Sequence, residues 1–486
     1  MVDKRSLLSS ETADELGGYS SFPPSSSATL QEGPSSGNKK GCRDPLFLVA
    51  FILNLGVIIW LAADYGASAL RDAPPTQDED PAKMHDGHPL IILCAALAGV
   101  AGVLAGAWMT FMIKKAADII KFTLWASVVL SLFSAILGLI SGQVALVIFG
   151  LLSSAIAFCY MRAVKRFIPF AAANLRAATR AVNDFFPVMY AAYALLLLAF
   201  LWSVVWSVGM YGVIAYFQRA DEDPGQGGAE GGGEGSVAGV YYFLLLVSFF
   251  WTLQVVGGVL NCTVAGVVGS WWFIPKADQA NVVTGSFTRA ATTSLGSICF
   301  GALIVAVLEA MKAMVENARQ ERDNALKCLL DCLISCLDSL AQYLNRWAYT
   351  YIGIYGHSFV EAGHKVYNLF VRRGLTALLN DNLVGRVLFL GALMVGLVTC
   401  GLGVLLAFIL QHSYLKDVEN APSLLGGAGF VVGFFVTDVM MNVVSAAVAA
   451  VLVCFLEDSQ ALAITHPDYH SYLVAAWAMR FPDINW

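Results

Sequence analysis

Apolar residues along this chain gather into runs far longer than a buried strand, and polar, Gly-rich or acidic segments separate each run from the next. The runs predict ten membrane spans, near 46–64, 89–113, 122–140, 143–161, 186–217, 240–271, 291–315, 330–356, 387–411 and 429–456. Most approach or exceed the roughly 18 apolar residues that a helix needs to cross a bilayer. The alternating ten-residue segments of a membrane β-barrel do not occur, and backbone groups in lipid must be satisfied internally. The predicted fold class is all-α: a polytopic membrane helix bundle of about ten transmembrane helices.

One run is interrupted in an ordered way. The stretch "WTLQVVGGVLNCTVAGVVGSWW", residues 251–272, carries Gln254, Gly257, Gly258 and Asn261 in its middle. At helical spacing Trp251, Gln254, Gly258, Asn261 and Ala265 share one face, so one stripe of this helix avoids lipid and faces protein or water. The adjacent Gly257 and Gly258 also admit a helix broken near midplane, as in some transporters. Small-xxx-small pairs, Gly102/Gly106 and Gly429/Gly433, predict close helix approach. Trp271 and Trp272, at a helix end, read as interfacial belt residues.

Basic residues set the expected orientation. Lys39, Lys40 and Arg43 precede the first span; Lys114, Lys115 and Lys121 join the second and third; Arg162, Lys165, Arg166, Arg176 and Arg180 follow the fourth; Lys276 and Arg289 follow the sixth. The loops "RDAPPTQDEDPAKMHDGH" and "RADEDPGQGGAEGGGEG" fit outside, which makes both termini cytoplasmic. Between 312 and 386 the charges fall on both sides of the candidate eighth span, and this region also fits one crossing plus an amphipathic helix at the inner interface. Residues 1–44, rich in Ser, Gly and Pro, are expected to be a disordered cytoplasmic tail. Residues 45–456 form the membrane domain and 457–486 a cytoplasmic C-terminal tail. No signal peptide precedes the first span, which is expected to serve as its own insertion signal.

Composition agrees. Charged residues make up 13% of the chain, against about 25% in a soluble domain, and the mean hydropathy is +0.67. The net charge of −6 comes mainly from acidic loops. No basic patch with interleaved aromatics points to nucleic acid. The 10 cysteines form no CxxC pair and no Cys/His ligand spacing, so neither a zinc site nor a cofactor is expected. Cys328, Cys332 and Cys336 line one helix face, where packing is the expectation. Cys42, beside the first span, is the better candidate for acylation. The sequon at Asn261 lies inside a span and is expected to stay unmodified.

Several segments are more specific. "TTSLGSICFGALIVAVLEAMKAMVENAR", "LLDCLISCLDSLAQYLNRWAYTYIGIYGHSF", "LLNDNLVGRVLFLGALMVG", the "GSWWF" run and "VLVCFLEDSQ" resemble the choline transporter-like family, nearest to its "pH nine-sensitive" branch of fungi, plants and protists. The likeness covers about residues 165–470. It implies a transporter-like fold of about ten helices with cytoplasmic termini, and choline or a related quaternary or primary amine as substrate. Two positions depart from the family pattern. Ala449 stands where the family carries an Asp, and His357 where "YGKS" is common. Asp438 lies eleven residues before Ala449, three turns away on the same helix side.

A quaternary ammonium is recognised largely by aromatic faces. Trp251, on the Gln254/Asn261 stripe, is therefore a candidate for a cation pocket together with Trp202 and Trp206. Ionisable groups inside spans are costly and suggest function. Asp438 is a candidate to balance a bound cation or carry a coupling proton, whereas Glu309 is expected near the interface. The expected substrate-binding set is thus Trp251, Gln254, Asn261, Trp202, Trp206 and Asp438. The expected function is transport of choline or a similar amine at the plasma membrane or an internal membrane. A channel, a lipid scramblase or a structural membrane protein are the alternatives. No catalytic constellation argues for an enzyme.

Overall fold

A computed structural model describes residues 41–72, 87–222, 234–275, 279–319, 325–410 and 420–478. The expected disordered tail lies almost wholly outside them. Every regular element among the described residues is helical. Helix α1 (Pro45–Leu61) passes through a π-turn into α2 (Ala67–Asp72); α3 spans Gly87–Ile140, α4 Val144–Val164, α5 Ile168–Asp184, α6 Val188–Glu222 and α7 Glu234–Phe273. Then follow α8 (Val282–Ala291), α9 (Leu295–Arg319), α10 (Ala325–Tyr355), α11 (Phe359–Leu410), α12 (Ala421–Glu457), α13 (Gln460–Thr465) and α14 (Pro467–Ala478).

Helix α12 is the axis of the bundle. It packs against α3, α5, α6, α7, α10 and α11, and every residue from Ala446 to Phe455 is buried. Its sequence explains this: "SAAVAAVLVC" is apolar all round, the pattern of an enclosed helix, and its small side chains let neighbours approach from every side. Gly429 and Gly433 do what their spacing predicts. A Cβ on Gly429 would lie 2.6 Å from the Thr399 carbonyl oxygen, and one on Gly433 would collide with the Thr399 hydroxyl of α11. Gly102 and Gly106 do not: a Cβ on either meets nothing within 4 Å.

Among the described residues, eight helices are long and apolar enough to cross a membrane, against the ten spans expected. The second and third expected spans fall in one element, α3, which at 1.5 Å per residue runs about 80 Å and departs from helical geometry at Lys115 (φ −129°, ψ 27°). The eighth expected span is α10, whose polar residues take it out of the apolar class. Its faces are inverted relative to a helix in water. Leu329, Leu333, Leu337, Leu340 and Leu344 are exposed, while Asp338 and Asn345 are buried. That is the arrangement of a helix whose outer face meets lipid. Helix α7 runs unbroken through Gly257 and Gly258.

Two regions that read as connection and tail are built into the core. Helix α5, read only as part of a basic segment, buries Ile168, Phe170–Leu175, Ala177–Thr179, Ala181 and Val182 while Arg176 stays exposed. Helix α14 lies on it: the Trp477 ring stacks on Phe455 (4.4 Å) and meets Phe170 edge-on (4.6 Å). Trp271 and Trp272 are not belt residues. Both are fully buried, because the C-terminal helices cover them. The Trp271 indole donates to Asp184 (3.1 Å) and stacks on His466, and Trp272 donates to the Asp458 carbonyl (2.9 Å).

Candidate functional site

The polar stripe of α7 opens on a cavity of about 220 Å³ between α7, α9, α10 and α12. Helix α7 contributes Gln254, Gly257, Gly258 and Asn261, and α9 contributes Val305. Helix α10 contributes Gln342, Asn345, Arg346 and Tyr349; α12 contributes Asn442, Ser445 and Ala446. Gly258 is required for the width of this crossing, since a Cβ there would lie 2.5 Å from Ile298 Cγ2 and 3.3 Å from the Tyr349 ring.

The wall is held by hydrogen bonds, most of which run from helix to helix. Gln254 Nε2 donates to Glu309 Oε1 at 2.8 Å. Gln342 Nε2 donates to the same oxygen at 3.1 Å and to Asp338 Oδ1 at 3.0 Å. Asn345 Nδ2 donates to the Gly301 carbonyl at 2.6 Å. Arg346 Nη2 donates to the carbonyl (2.7 Å) and hydroxyl (2.8 Å) of Ser445. Tyr349 donates its hydroxyl to the Ile298 carbonyl at 3.2 Å. Asp438 reaches the wall through Asn442, whose Nδ2 donates to Asp438 Oδ2 at 2.9 Å. Glu309 is tied to two residues of the cavity wall.

The sequence-predicted residues divide into three groups. Gln254 and Asn261 line the cavity, and Asp438 stands one helical turn from a lining residue. Trp251 is buried outside the lining; its N–H donates to the Cys299 carbonyl (3.0 Å) and its ring meets Phe51 edge-on (5.4 Å). Trp202 and Trp206 pack in a separate apolar cluster with Ile58, Val213 and Leu245, and Trp206 donates to the Leu245 carbonyl (3.0 Å). The structure therefore does not assemble an aromatic box from the three tryptophans. Tyr349 is the aromatic residue on the cavity wall.

A second polar cluster ties together the beginnings of α1, α9 and α11. Asp44, in the left-handed region (φ 53°), accepts from the Ser297 hydroxyl (2.7 Å) and from the Phe359 N–H (3.2 Å). Arg43 pairs with Glu361 at 3.1 Å, and His357 Nδ1 lies 3.3 Å from the same carboxylate. Burial pushes the Glu361 carboxyl up, but His357, the Ser358 N–H and Arg43 outweigh it and hold it below the usual carboxylate range.

A sequence model of the family described as plasma-membrane choline transporter matches residues 147–460, more than half of the chain. The chain belongs to the choline transporter-like family. A CTL-like protein of Dictyostelium discoideum is 25% identical over 480 residues, covering 95% of this chain and 81% of that protein. A protein named PNS1 from Mycosarcoma maydis is 28% identical over 458 residues (90% and 83% covered), and one of the same name from Eremothecium gossypii is 26% identical over 475 (92% and 83%). The matched region spans α4 to the start of α13, so it contains all four helices of the cavity wall. Of the two positions singled out in the sequence, Ala449 lies in the packed run of α12 just past the cavity, at 2% exposure, and His357 sits in the Glu361 cluster.

Sequence reasoning missed Asp338, Gln342, Asn345, Arg346, Asn442 and Ser445. A signal was present. Asp338, Gln342, Asn345, Arg346 and Tyr349 recur at steps of three and four on α10, the same spacing that exposed the α7 stripe.

Proposed function

We propose that this chain moves choline or a closely related small amine across a membrane, with the four-helix cavity as the solute site. The observation that carries this reading is a polar cavity inside an apolar bundle, with a carboxylate, Glu309, hydrogen-bonded to two of its lining residues. Polar and charged groups inside a membrane bundle are expensive and are kept where a solute path needs them. In this reading Gln254, Asn261 and Tyr349 touch the solute, and Glu309 offsets its positive charge. Asp438 adjusts the wall through Asn442 and is the group suited to exchange a proton. Trp251, Trp202 and Trp206 hold helices in register. The plasma membrane is the proposed site of action, following the description of the matched family.

The test is binding to purified protein, read as a thermal shift with choline, ethanolamine and tetramethylammonium. A ligand that binds the folded state alone stabilises it by mass action, about 2.7 kcal/mol at a hundredfold excess over Kd. A saturable shift that Glu309→Gln weakens is the expected result. No shift with any of the three at millimolar concentration counts against the proposal.

A further inference from the structure

Three helices bring basic residues to one level. Gly391 of α11 lies against Trp108 of α3, while Thr399 of α11 and Leu97 of α3 both flank Gly429. Helices α3 and α11 therefore run antiparallel, and Arg386 comes level with the turn around Lys114. Helices α3 and α4 are also antiparallel: Gly150 lies against Ala135, and the Ser154 hydroxyl donates to the Val128 carbonyl (3.5 Å). That register sets Lys121 beside the turn of Arg162. The Arg386 guanidinium stands 4.4 Å from the centre of the Tyr160 ring, which ties α11 to α4 at the same place.

The charge of this junction is uncompensated. Lys114, Lys115, Lys121, Arg162, Lys165 and Arg386 are all exposed. Residues 114–121, 160–165 and 383–390 contain one acid, Asp118, which lies 3.9 Å from Lys115. The other five basic groups have no ion pair among the described residues. The Tyr160 hydroxyl, at the foot of Arg386, is closed off from solvent and has no hydrogen-bond partner among them.

The junction also lies where four expected spans end: 89–113, 122–140, 143–161 and 387–411. On the span side of each basic residue stands an exposed aromatic ring: Phe111 before Lys114, Trp125 after Lys121, Phe158 before Arg162 and Phe389 after Arg386. Cations edged by exposed apolar rings on the same helices match the polarity of a phospholipid, a charged head above apolar chains. Basic pockets between membrane helices on the cytoplasmic side hold phosphorylated headgroups, and Lys and Arg bind phosphate through charge-assisted hydrogen bonds. A soluble phosphate compound would use the cations and leave the rings without a role.

We propose that the junction of α3, α4 and α11 binds the headgroup of a polyanionic phospholipid, one carrying two or more phosphates, in the leaflet expected to face the cytoplasm. Lys121, Arg162 and Arg386 hold the phosphates, and the acyl chains lie along Phe158 and Phe389. The site is separate from the four-helix cavity and does not depend on which solute that cavity takes.

The experiment is a lipid titration of the full-length purified protein in neutral phosphatidylcholine nanodiscs, with melting temperature as the readout. The probes are short-chain phosphatidylinositol bisphosphate, short-chain phosphatidylcholine and soluble inositol trisphosphate. A saturable rise with phosphatidylinositol bisphosphate, and none with phosphatidylcholine, is expected for the wild type. Arg386→Gln is expected to weaken binding about fivefold, the effect of one basic residue at an anionic surface. The double variant Lys121→Gln/Arg162→Gln is expected to weaken it about twentyfold. Arg176→Gln, which removes an exposed arginine on α5, is expected to leave it unchanged. The wild-type comparison stands even where a variant fails to fold. Equal shifts with the anionic and neutral lipids overturn the inference, as does a folded double variant of unchanged affinity. Inositol trisphosphate binding as tightly as the lipid overturns the assignment to a membrane lipid, because the apolar rings would then contribute nothing.

Discussion

Gln342 of α10 bridges two carboxylates: its single side-chain nitrogen lies 3.1 Å from Glu309 and 3.0 Å from Asp338. One amide thus stands between two acidic groups carried by different helices. Replacing Gln342 with Leu removes both donors and leaves the buried Asp338 without this partner. The penalty for stranding a buried acceptor is about 1–3 kcal/mol. Gln342→Leu is expected to lower the melting temperature of the solubilised protein and to weaken solute binding together. Gln342→Glu, which adds a third negative charge, is expected to be worse. Unchanged melting of both variants contradicts this account of the wall.

Adjacent glycines on α7 make an internal control for the width of the helix crossing. A Cβ at Gly258 presses on Ile298 and the Tyr349 ring, whereas one at Gly257 meets nothing within 4 Å. Gly258→Ala is expected to cost about 1–3 kcal/mol, as overpacking does, and to narrow the cavity. Gly257→Ala is expected to be neutral or slightly stabilising. Equal melting curves for the two would mean that the crossing is looser than the structure shows.

The Glu361 cluster gives a pH dependence with a defined sign. The carboxyl is held below its ordinary value of 4.5, so its contribution to stability is fully present above that value and is lost as pH falls through the lowered one. Glu361 is half exposed, and an ion pair in such a setting contributes under about 1 kcal/mol. The difference in melting temperature between wild type and Glu361→Gln is expected to be small at pH 7 and to shrink as pH falls below the ordinary carboxyl value. A difference that grows on acidification would reverse the assignment.

Trp477 is the largest buried side chain of the C-terminal helix, beside Leu473 and Ala476. Trp477 is 1% exposed and wedged between Phe455 and Phe170. Its replacement by Ala is expected to cost about 3–5 kcal/mol, and limited proteolysis is expected to release the last helix. Tyr472, on the same helix but 41% exposed, gives the contrast. It meets the Arg176 guanidinium in a cation–π contact (5.1 Å), so Tyr472→Ala is expected to cost about 0.5–1 kcal/mol.

How much of the fold and the site is legible in the sequence depends on whether the signal is local. The α7 stripe is readable because Gln254, Gly258 and Asn261 keep helical spacing inside an apolar run, and period alone says that such a face avoids lipid. The α10 stripe keeps the same spacing, yet it escapes notice because the charges flanking it do not decide its orientation. The tryptophans mislead for a different reason. Whether an indole faces a solute or packs depends on where its N–H finds an acceptor, and for Trp251, Trp206 and Trp272 that acceptor is a carbonyl 48, 39 and 186 residues away. Nothing in the spacing of the tryptophans encodes it. Helix α5 is inconspicuous because an Ala-rich stretch with arginines reads as polar connection until the partners that bury it are known.

From Ala446 onward the cavity gives way to ten consecutive enclosed residues of α12, nearly all Ala, Val or Leu. A swinging side chain cannot unblock such a barrier, because no single bulky group forms it. Small, smooth side chains let neighbouring helices slide past one another with little interlocking, which is how shear motions are accommodated. Under the proposed transport function, onward passage of a solute would require a concerted slip of several helices, on the microsecond-to-millisecond scale of such rearrangements. In the proposed transport reading, enlarging one alanine on that surface is expected to slow passage without touching the solute at all.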